Sequence, residues 1–136
     1  MILLVVDTSA IIAVLNDEPD SPVFKQAFHE ADQALISSAT LFEATCVATA
    51  ERFSDRSERL DLLIDLLALT IIPFDKDQLA AARLGYARYG RGSKHRANLN
   101  MGDCFAYALA KTRGLPLLFK GDDFVHTDVE PALKPA

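Results

Sequence analysis

Acidic residues at four separate points of the chain are the candidates for chemistry: Asp7, Glu43, Asp103 and the adjacent pair Asp122 and Asp123. Asp7 stands between two apolar runs in LLVVDTSAIIAVL, where an unpaired carboxylate near a core is costly. Carboxylates held a few ångströms apart raise each other's pKa, unless a cation lies between them. Their oxygen atoms are hard ligands that suit Mg²⁺ or Mn²⁺. These acids predict a divalent-cation site if the fold brings them together.

The elements that must position these acids alternate between short apolar runs and longer helical patterns. Strands are predicted at 2–6, 34–37, 71–74 and 115–120. Such alternation is typical of a three-layer α/β/α sandwich around a mostly parallel sheet. We see no repeat or linker, and 136 residues suit a single domain over 1–136. Helices are predicted at 8–16, 20–33, 39–53, 55–70, 75–90 and 101–114, with a flexible loop at 91–100 and a loop-rich tail at 121–136.

The acids follow the predicted strands or begin the predicted helices. Asp7 comes directly after the first strand, and Asp122 and Asp123 come just after the fourth. Glu43 and Asp103 lie in first turns of helices whose N-termini can point to the same edge. Ligands of open α/β sheets bind at the carboxyl ends of the strands. The four acidic positions are therefore expected to converge at that edge.

Each acid also has a purely structural interpretation. TLFE, from Thr40 to Glu43, fits a capping box, and NMGD, from Asn100 to Asp103, has the same spacing with an Asn cap. Asp7 can cap the helix that follows it, although Thr8 or Ser9 can also serve as that cap, and the GDD pair fits a turn. For each acid taken singly, the structural interpretation and the metal-site interpretation both remain open. Their joint placement on one edge favours a shared site.

Composition excludes several classes of protein. Half of the residues are hydrophobic and 24% are charged, which is typical of a globular chain. No apolar run reaches the roughly 18 residues of a membrane span, and the start lacks the basic region of a signal peptide. Cys46 and Cys104 have no metal-ligand spacing, so we expect reduced cysteines in a cytoplasmic protein.

A basic stretch between residues 83 and 96 offsets the overall net charge of −5 locally. It contains no acid and leads straight into Asn100 and Asp103. We interpret it as a candidate surface for nucleic-acid phosphates, with two tyrosines for base stacking. The alternative is a solvated helix face that ends in a basic loop, with the tyrosines at the edge of the core. The residues concerned are Arg88, Arg91, Lys94 and Arg96, with Tyr86 and Tyr89.

Four motifs, VVDTSAIIAVL, SSATLFEA, LNMGDCFAYALAK and LLFKGDDFVHTDV, together resemble the PIN-domain ribonucleases, in particular the VapC toxins of type II toxin–antitoxin systems. The resemblance covers nearly the whole chain in the expected order. It implies a PIN-like fold, Mg²⁺-dependent cleavage of RNA (with Mn²⁺ as a substitute), a homodimer, and inhibition by a small cognate antitoxin.

The resemblance also implies roles for particular residues. Asp7, Glu43 and Asp103 match the family's first three metal-binding acids, with Glu43 either a ligand or an acceptor of the proton from the attacking water. Spacing does not choose between Asp122 and Asp123 for the fourth acid. The supporting polar residues that match are Ser9 and Asn100. The implied products carry 5′-phosphate and 3′-hydroxyl ends.

Other functions fit these residues less well. A haloacid-dehalogenase-like phosphatase needs a second acid two residues after Asp7, where this chain has Ser9, and a phosphate-accepting receiver domain needs an acidic pair there. A non-catalytic PIN-like module that binds RNA or protein remains open, although every acidic position is filled. The leucine-rich stretch 60–69 is mostly core, and the helices between residues 40 and 69 are expected to supply a dimer or antitoxin interface.

Overall fold

The computed structural model describes residues 1–50 and 55–134 and has a four-stranded parallel sheet at its centre. Chain order differs from spatial order, because β4 lies on the other side of β1 from β2 and β3, giving the order β3-β2-β1-β4. The strands are β1 (Leu3–Val6), β2 (Gln33–Ser37), β3 (Thr70–Ile72) and β4 (Leu117–Leu118).

Six α-helices connect and cover these strands in the described part of the chain. Among those residues, no helix is both long enough and apolar enough to cross a membrane. The helices are α1 (Thr8–Leu15), α2 (Ser21–Glu30), α3 (Ser38–Thr49), α4 (Arg56–Leu66), α5 (Lys76–Tyr89) and α6 (Met101–Arg113), and a 3₁₀ turn spans Arg91–Ser93.

Side-chain alternation along the strands divides the interior into two cores. In β1, Leu4 and Val6 face the core that contains residues of α1 to α4, whereas Val5 faces the core that contains residues of α5 and α6. In β4, Leu118 faces the first of these cores and Leu117 faces the second. Successive side chains of a strand point to opposite faces, so a sheet that buries both faces needs helices on both. The predicted three-layer α/β/α sandwich is confirmed.

The neighbouring strands β1 and β4 define the point where the chain changes direction across the sheet. The two strands are joined by backbone bonds from Val5 N to Pro116 O, 2.9 Å, and from Asp7 N to Leu118 O, 3.0 Å. The connections leaving β1 and β2 run one way across the sheet, while β4 arrives on the other side of β1. Such a switch point opens a crevice at the carboxyl edge. Asp7 and the segment after β4 border it.

Several element ends differ from the predictions. The helix predicted over 20–33 stops at Glu30, because Ala31 turns to an extended conformation and β2 already begins at Gln33. The helix predicted over 55–70 stops at Leu66, and Ala68 adopts a positive φ of 52° before β3. Only Leu117–Leu118 of the strand predicted over 115–120 is a strand. The end of the helix predicted over 39–53 lies partly outside the described residues.

The segment 91–100, predicted to be a flexible loop, is a folded loop. Leu99 N donates to Tyr89 O at 2.9 Å, Arg91 N donates to Leu99 O at 3.1 Å, and Gly90 and Leu99 form a parallel bridge. Ala97 and Leu99 are buried beneath it. The apolar residues between the basic ones, which the prediction did not weigh, therefore close the loop onto α5.

The loop-rich tail is tied back to the sandwich at a polar junction. Tyr107 Oη of α6 donates to Asp128 Oδ1 at 2.8 Å, and Lys111 Nζ lies 3.1 Å from Asp128 Oδ2. Farther on, Leu117 N donates to Glu130 O and Ala132 N donates to Leu117 O, both at 2.8 Å. These bonds fix both ends of the segment that carries Asp122 and Asp123.

Gly85 provides a test of the α5–α6 packing, because a Cβ at this position would lie 2.5 Å from Tyr107 Cε1. Alanine normally stabilises a helix interior by about 1 kcal/mol relative to glycine. Overpacking against the buried Tyr107 ring costs about 1–3 kcal/mol. We therefore expect Gly85→Ala to lower the free energy of unfolding by up to about 2 kcal/mol in urea denaturation. The matched control is Gly92→Ala, whose Cβ meets nothing within 4 Å, and a stabilised Gly85→Ala variant would contradict this packing.

Candidate active site

Asp7 lies at the junction of β1 and α1 and is 4% exposed. Its backbone is extended, with φ −89° and ψ 156°, and it is the N-cap of α1. Both capping contacts end on Oδ2, which accepts from Ser9 N at 3.0 Å and from Ser9 Oγ at 2.6 Å. The prediction of Thr8 or Ser9 as the cap was wrong, because the strand conformation continues through Asp7 and the helix begins directly after it.

Ser9 connects Asp7 to the segment that follows β4. Its Oγ accepts from Lys120 N at 2.9 Å while donating to Asp7, so the hydroxyl proton is directed at the carboxylate. The Lys120 side chain points elsewhere and forms ion pairs with Glu18 and Asp20. Ser9 therefore fixes Asp7 relative to β4, and Lys120 contributes through its backbone.

Glu43 is not part of a capping box, so that interpretation of TLFE was wrong. Helix α3 begins at Ser38 with Ser37 as its N-cap, and Ser37 Oγ accepts from Ala39 N at 3.1 Å. Glu43 consequently falls in the second turn, too far along the helix to cap it. Its Oε1 instead accepts from Thr8 Oγ1 of α1 at 2.5 Å.

Gly102, in the first turn of α6, makes room for the other side of the Glu43 carboxyl group. A Cβ at position 102 would overlap Oε2 and Cδ of Glu43. The carboxylate thus lies between the N-terminal turns of α1 and α6, where helix dipoles favour negative charge. Sequence reasoning missed Thr8 and Gly102 as contributors to the site. Their only signals were a hydroxyl residue next to Asp7 and a glycine next to Asp103.

Asp103 is both a helix-capping residue and a buried acid. Its Oδ2 accepts from Asn100 N at 3.0 Å, and its backbone N donates to Asn100 Oδ1 at 2.8 Å, so the predicted capping box of α6 is confirmed. Asp103 is nevertheless only 8% exposed. Asp103 therefore takes part in the cap of α6 and is also one of the buried acids of this edge, so the two interpretations are compatible for this residue.

The pKa values of two of these acids are raised. Burial raises the pKa of Asp7 to about 7, against the hydrogen bonds from Ser9, and the charges of Asp103 and Glu43 raise it further. Burial raises the pKa of Asp103 to about 6, with Asp123 and Glu43 adding to the rise and Arg91 opposing it. The acids at the end of β1, on α3, on α6 and in the segment after β4 are therefore close enough for their charges to affect one another.

The structure brings together Asp7, Glu43, Asp103 and Asp123. Asp122 is exposed and is not among the charges that raise the pKa of Asp7 or Asp103. Within residues 1–50 and 55–134, no three Asp, Glu, His or Cys side chains are already arranged around a metal-sized space. The donor set still suits a hard divalent cation, since carboxylates with raised pKa values gain most from a neighbouring positive charge.

The neighbouring Cys104 is not a nucleophile of this site. Burial raises the pKa of its thiol to about 11, and the charge of Asp103 adds to that rise. A thiol with this pKa is protonated at neutral pH, and the thiolate is the reactive form. The acids are left as the reactive groups of this edge.

The basic residues divide into two groups. Arg91, Lys94 and Arg96 are exposed on the folded loop next to Asn100. Arg88 instead lies 3.9 Å from Asp128 at the tail junction. Tyr89 is buried and contacts Tyr107 and His95 edge to face, so its predicted role in base stacking was wrong, whereas Tyr86 stays partly exposed.

A family model for the PIN domain matches residues 4–130, which include all four strands apart from Leu3 and all the acids of the edge. The fold also matches solved structures of low sequence identity. VapC20 of Mycobacterium tuberculosis, described as a sarcin–ricin loop cleaving toxin, has a TM-score of 0.75 and 13% identity, with 97% of this chain and 99% of that chain covered. A toxin–antitoxin complex from Klebsiella pneumoniae has a TM-score of 0.71 and 19% identity, covering 97% and 99%.

The class defined by this fold and acidic edge is the PIN domain, and a curated relative narrows it. Ribonuclease VapC30 of Mycobacterium tuberculosis is 45% identical over 133 residues, covering 97% of this chain and all of the relative. The chain belongs to the VapC ribonucleases of the PIN-domain family. The predicted family and ribonuclease class are confirmed, and the phosphatase and receiver-domain alternatives are excluded.

The raised pKa of Asp7 predicts a pH-dependent gain in stability on removal of its charge. Between about pH 4 and pH 7 the folded protein keeps a proton that the unfolded chain releases, so the free energy of unfolding falls as pH rises. In the metal-free protein, we expect Asp7→Asn to raise that free energy by about 2–4 kcal/mol at pH 8 and by less than about 1 kcal/mol at pH 4. Asparagine still caps α1.

The measurement is urea denaturation with EDTA at both pH values. Asp122→Asn, which removes an exposed charge nearby, serves as the control and is expected to change stability little at either pH. A gain for Asp7→Asn that is equal at the two pH values would show that desolvation of the carboxylate is not its cause.

Proposed function

We propose that the protein is a divalent-metal-dependent endoribonuclease and the toxin of a toxin–antitoxin pair. The observation that carries the metal dependence is the gathering of Asp7, Glu43 and Asp103 at one edge, with raised pKa values for Asp7 and Asp103. Such a cluster is costly without a cation and typical of sites that use one. The similarity to Ribonuclease VapC30 supports the reaction class.

In this proposal, Asp7 and Asp103 hold a Mg²⁺ ion, for which Mn²⁺ can substitute. When bound, the ion lowers the pKa of a water molecule and withdraws charge from the phosphoryl oxygens. Ser9 Oγ donates to Oδ2 of Asp7, and Asn100 N donates to Oδ2 of Asp103. These hydrogen bonds fix the orientation of each carboxylate. The two ligands are thereby oriented before any ion arrives, and less conformational entropy is lost on binding.

Glu43 either ligates the ion or accepts the proton of the attacking water. The water oxygen bonds to phosphorus, the bond from phosphorus to the 3′ oxygen breaks, and that oxygen gains a proton. The products carry 5′-phosphate and 3′-hydroxyl ends. Both Asp122 and Asp123 are exposed, and Asp123 is favoured as the fourth acid because its charge acts on Asp103.

The RNA surface is proposed to be the folded loop that carries Arg91, Lys94 and Arg96. This loop leads directly into Asn100 and Asp103, and Arg91 is near enough to Asp103 to lower the pKa of that acid. A net charge of −5 would otherwise repel a polyanion, so a local set of cations beside the site is required. Arg88 is engaged with Asp128, so the proposal rests on the other three cations.

Protein partners are proposed for two apolar surfaces. Phe42 of α3 and Leu62 and Leu66 of α4 are more than half exposed, which supports this face as the surface for a small antitoxin. The structural similarity to a toxin–antitoxin complex supports the same partner. A groove of about 600 Å³ between α5 and the first turn of α6, lined by Tyr86, Met101 and other apolar residues, is the candidate homodimer surface.

Removal of one acid is the direct test of the reaction. We expect Asp103→Asn to lower RNA cleavage by more than about 100-fold, because loss of a ligand exceeds the 10–100-fold effect of residues that only support ligands. The same variant is expected to abolish growth arrest on expression, and EDTA to abolish cleavage by the wild-type protein. The measurement is cleavage of a mixed-sequence RNA with Mg²⁺ or Mn²⁺, followed by mapping of the 5′ ends.

The control is Asp122→Asn, which removes a nearby exposed charge and should retain most activity, whereas Asp123→Asn should lose activity. Full growth arrest by the Asp103→Asn variant would show that cleavage at this site is not the cause of toxicity.

The RNA surface is tested by the salt dependence of binding. We expect the combined substitution of Arg91, Lys94 and Arg96 by alanine to weaken RNA binding and to reduce the slope of log K against log salt by about 2, at about 0.7 per phosphate contact. A matched variant lowers the charge equally elsewhere, with alanine at Lys25, Arg113 and Lys134. Fluorescence anisotropy with a metal-free protein measures both, and equal slopes for the two variants would refute this surface.

A further inference from the structure

We propose that Thr8 is a positioning residue that holds the Glu43 carboxylate at the metal site, an inference that rests on the proposed metal-dependent reaction. Thr8 is the first residue of α1, directly after Asp7. Its Oγ1 donates to Glu43 Oε1 at 2.5 Å, with Thr40 O as a longer alternative acceptor at 3.4 Å. The hydroxyl therefore joins the end of β1 to the second turn of α3.

Glu43 needs such a contact because its neighbours repel it. The charge of Glu43 raises the pKa of both Asp7 and Asp103, which shows that the three acids act on one another. The glutamate side chain is only partly buried, and a long side chain loses rotamer entropy when it is fixed in one orientation. A hydrogen bond to a charged acceptor is stronger than one between neutral groups and is able to offset that loss.

Thr8 and Gly102 together determine one orientation of the carboxyl group. Oε1 faces the Thr8 hydroxyl, and Oε2 and Cδ occupy the space where any larger residue at position 102 would place its Cβ. Thr8 also follows Asp7 in the chain, so one backbone turn sets the positions of two acids. Removal of the hydroxyl is expected to free Glu43 without moving Asp7, whose own capping bonds come from Ser9.

The test compares two replacements of Thr8 in the full chain. Thr8→Val keeps the shape but removes the donor, while Thr8→Ser keeps the donor. We expect Thr8→Val to weaken Mn²⁺ binding about tenfold, the scale of residues that orient metal ligands, and Thr8→Ser to stay within about threefold of the wild type. Isothermal titration calorimetry with Mn²⁺ gives the affinities. RNA cleavage is expected to show a lower kcat for Thr8→Val with KM little changed.

Thr40→Val is the matched control. Thr40 is fully buried, lies three residues before Glu43, and its Oγ1 has no hydrogen-bond partner among the described residues. The variant should bind Mn²⁺ as the wild type does. Equal Mn²⁺ affinity together with an equal kcat for Thr8→Val and the wild type would overturn the inference, and so would equal losses for Thr8→Val and Thr8→Ser.

A double-mutant cycle in the metal-free protein separates this inference from the proposed function. The effect of Thr8→Val on urea unfolding should largely disappear in a Glu43→Ala background, which removes the acceptor, if the two side chains interact as described. A wild-type protein that binds no Mn²⁺ would refute the proposed function. Absence of coupling between Thr8 and Glu43 would refute the positioning role even if the wild type binds Mn²⁺.

Discussion

The burial of several mutually repelling carboxylates at one sheet edge is the constraint on which the rest of the structure depends. Burial and the neighbouring acids raise the pKa of Asp7 to about 7 and that of Asp103 to about 6. The native state can carry this cost only if other interactions hold the acids in place. The two cores on either side of the sheet supply most of that stability, because the strand and helix that bear Asp7 and Asp103 are among the most buried elements.

Local hydrogen bonds give the acidic side chains defined orientations. The caps of α1 and α6 use Asp7 and Asp103 themselves, so the turns that begin these helices also orient two of the acids. The Ser9 hydroxyl links α1 to the segment that follows β4, and the Thr8 hydroxyl links α1 to α3. Helix N-termini that point to the same edge lessen the electrostatic cost of negative charge there.

The architecture was predictable from the sequence, because apolar runs such as LLVV and ALIS and the turn residues between helices are local signals. Asp7, Asp103 and Asn100 were predictable for the same reason, since a strand end and a capping box are short patterns. Glu43 was placed correctly at the edge, but its helix was taken to begin too late, which suggested a cap that does not exist. Thr8 and Gly102 could not be identified, because their contacts with Glu43 join residues that are 35 or more positions apart. The choice between Asp122 and Asp123 likewise depends on the path of a turn held by Phe124 and Asp128.

The double use of Asp7, as the N-cap of α1 and as a proposed metal ligand, has a consequence for how such a toxin is lost from a population. At an N-cap, asparagine serves about as well as aspartate, and at position 7 it also removes a repelled charge. Selection against toxicity can therefore be satisfied by changes that leave the fold intact. Inactivated copies of this kind would keep the faces proposed for partner binding, and an antitoxin that binds those faces would then be shared between active and inactive copies.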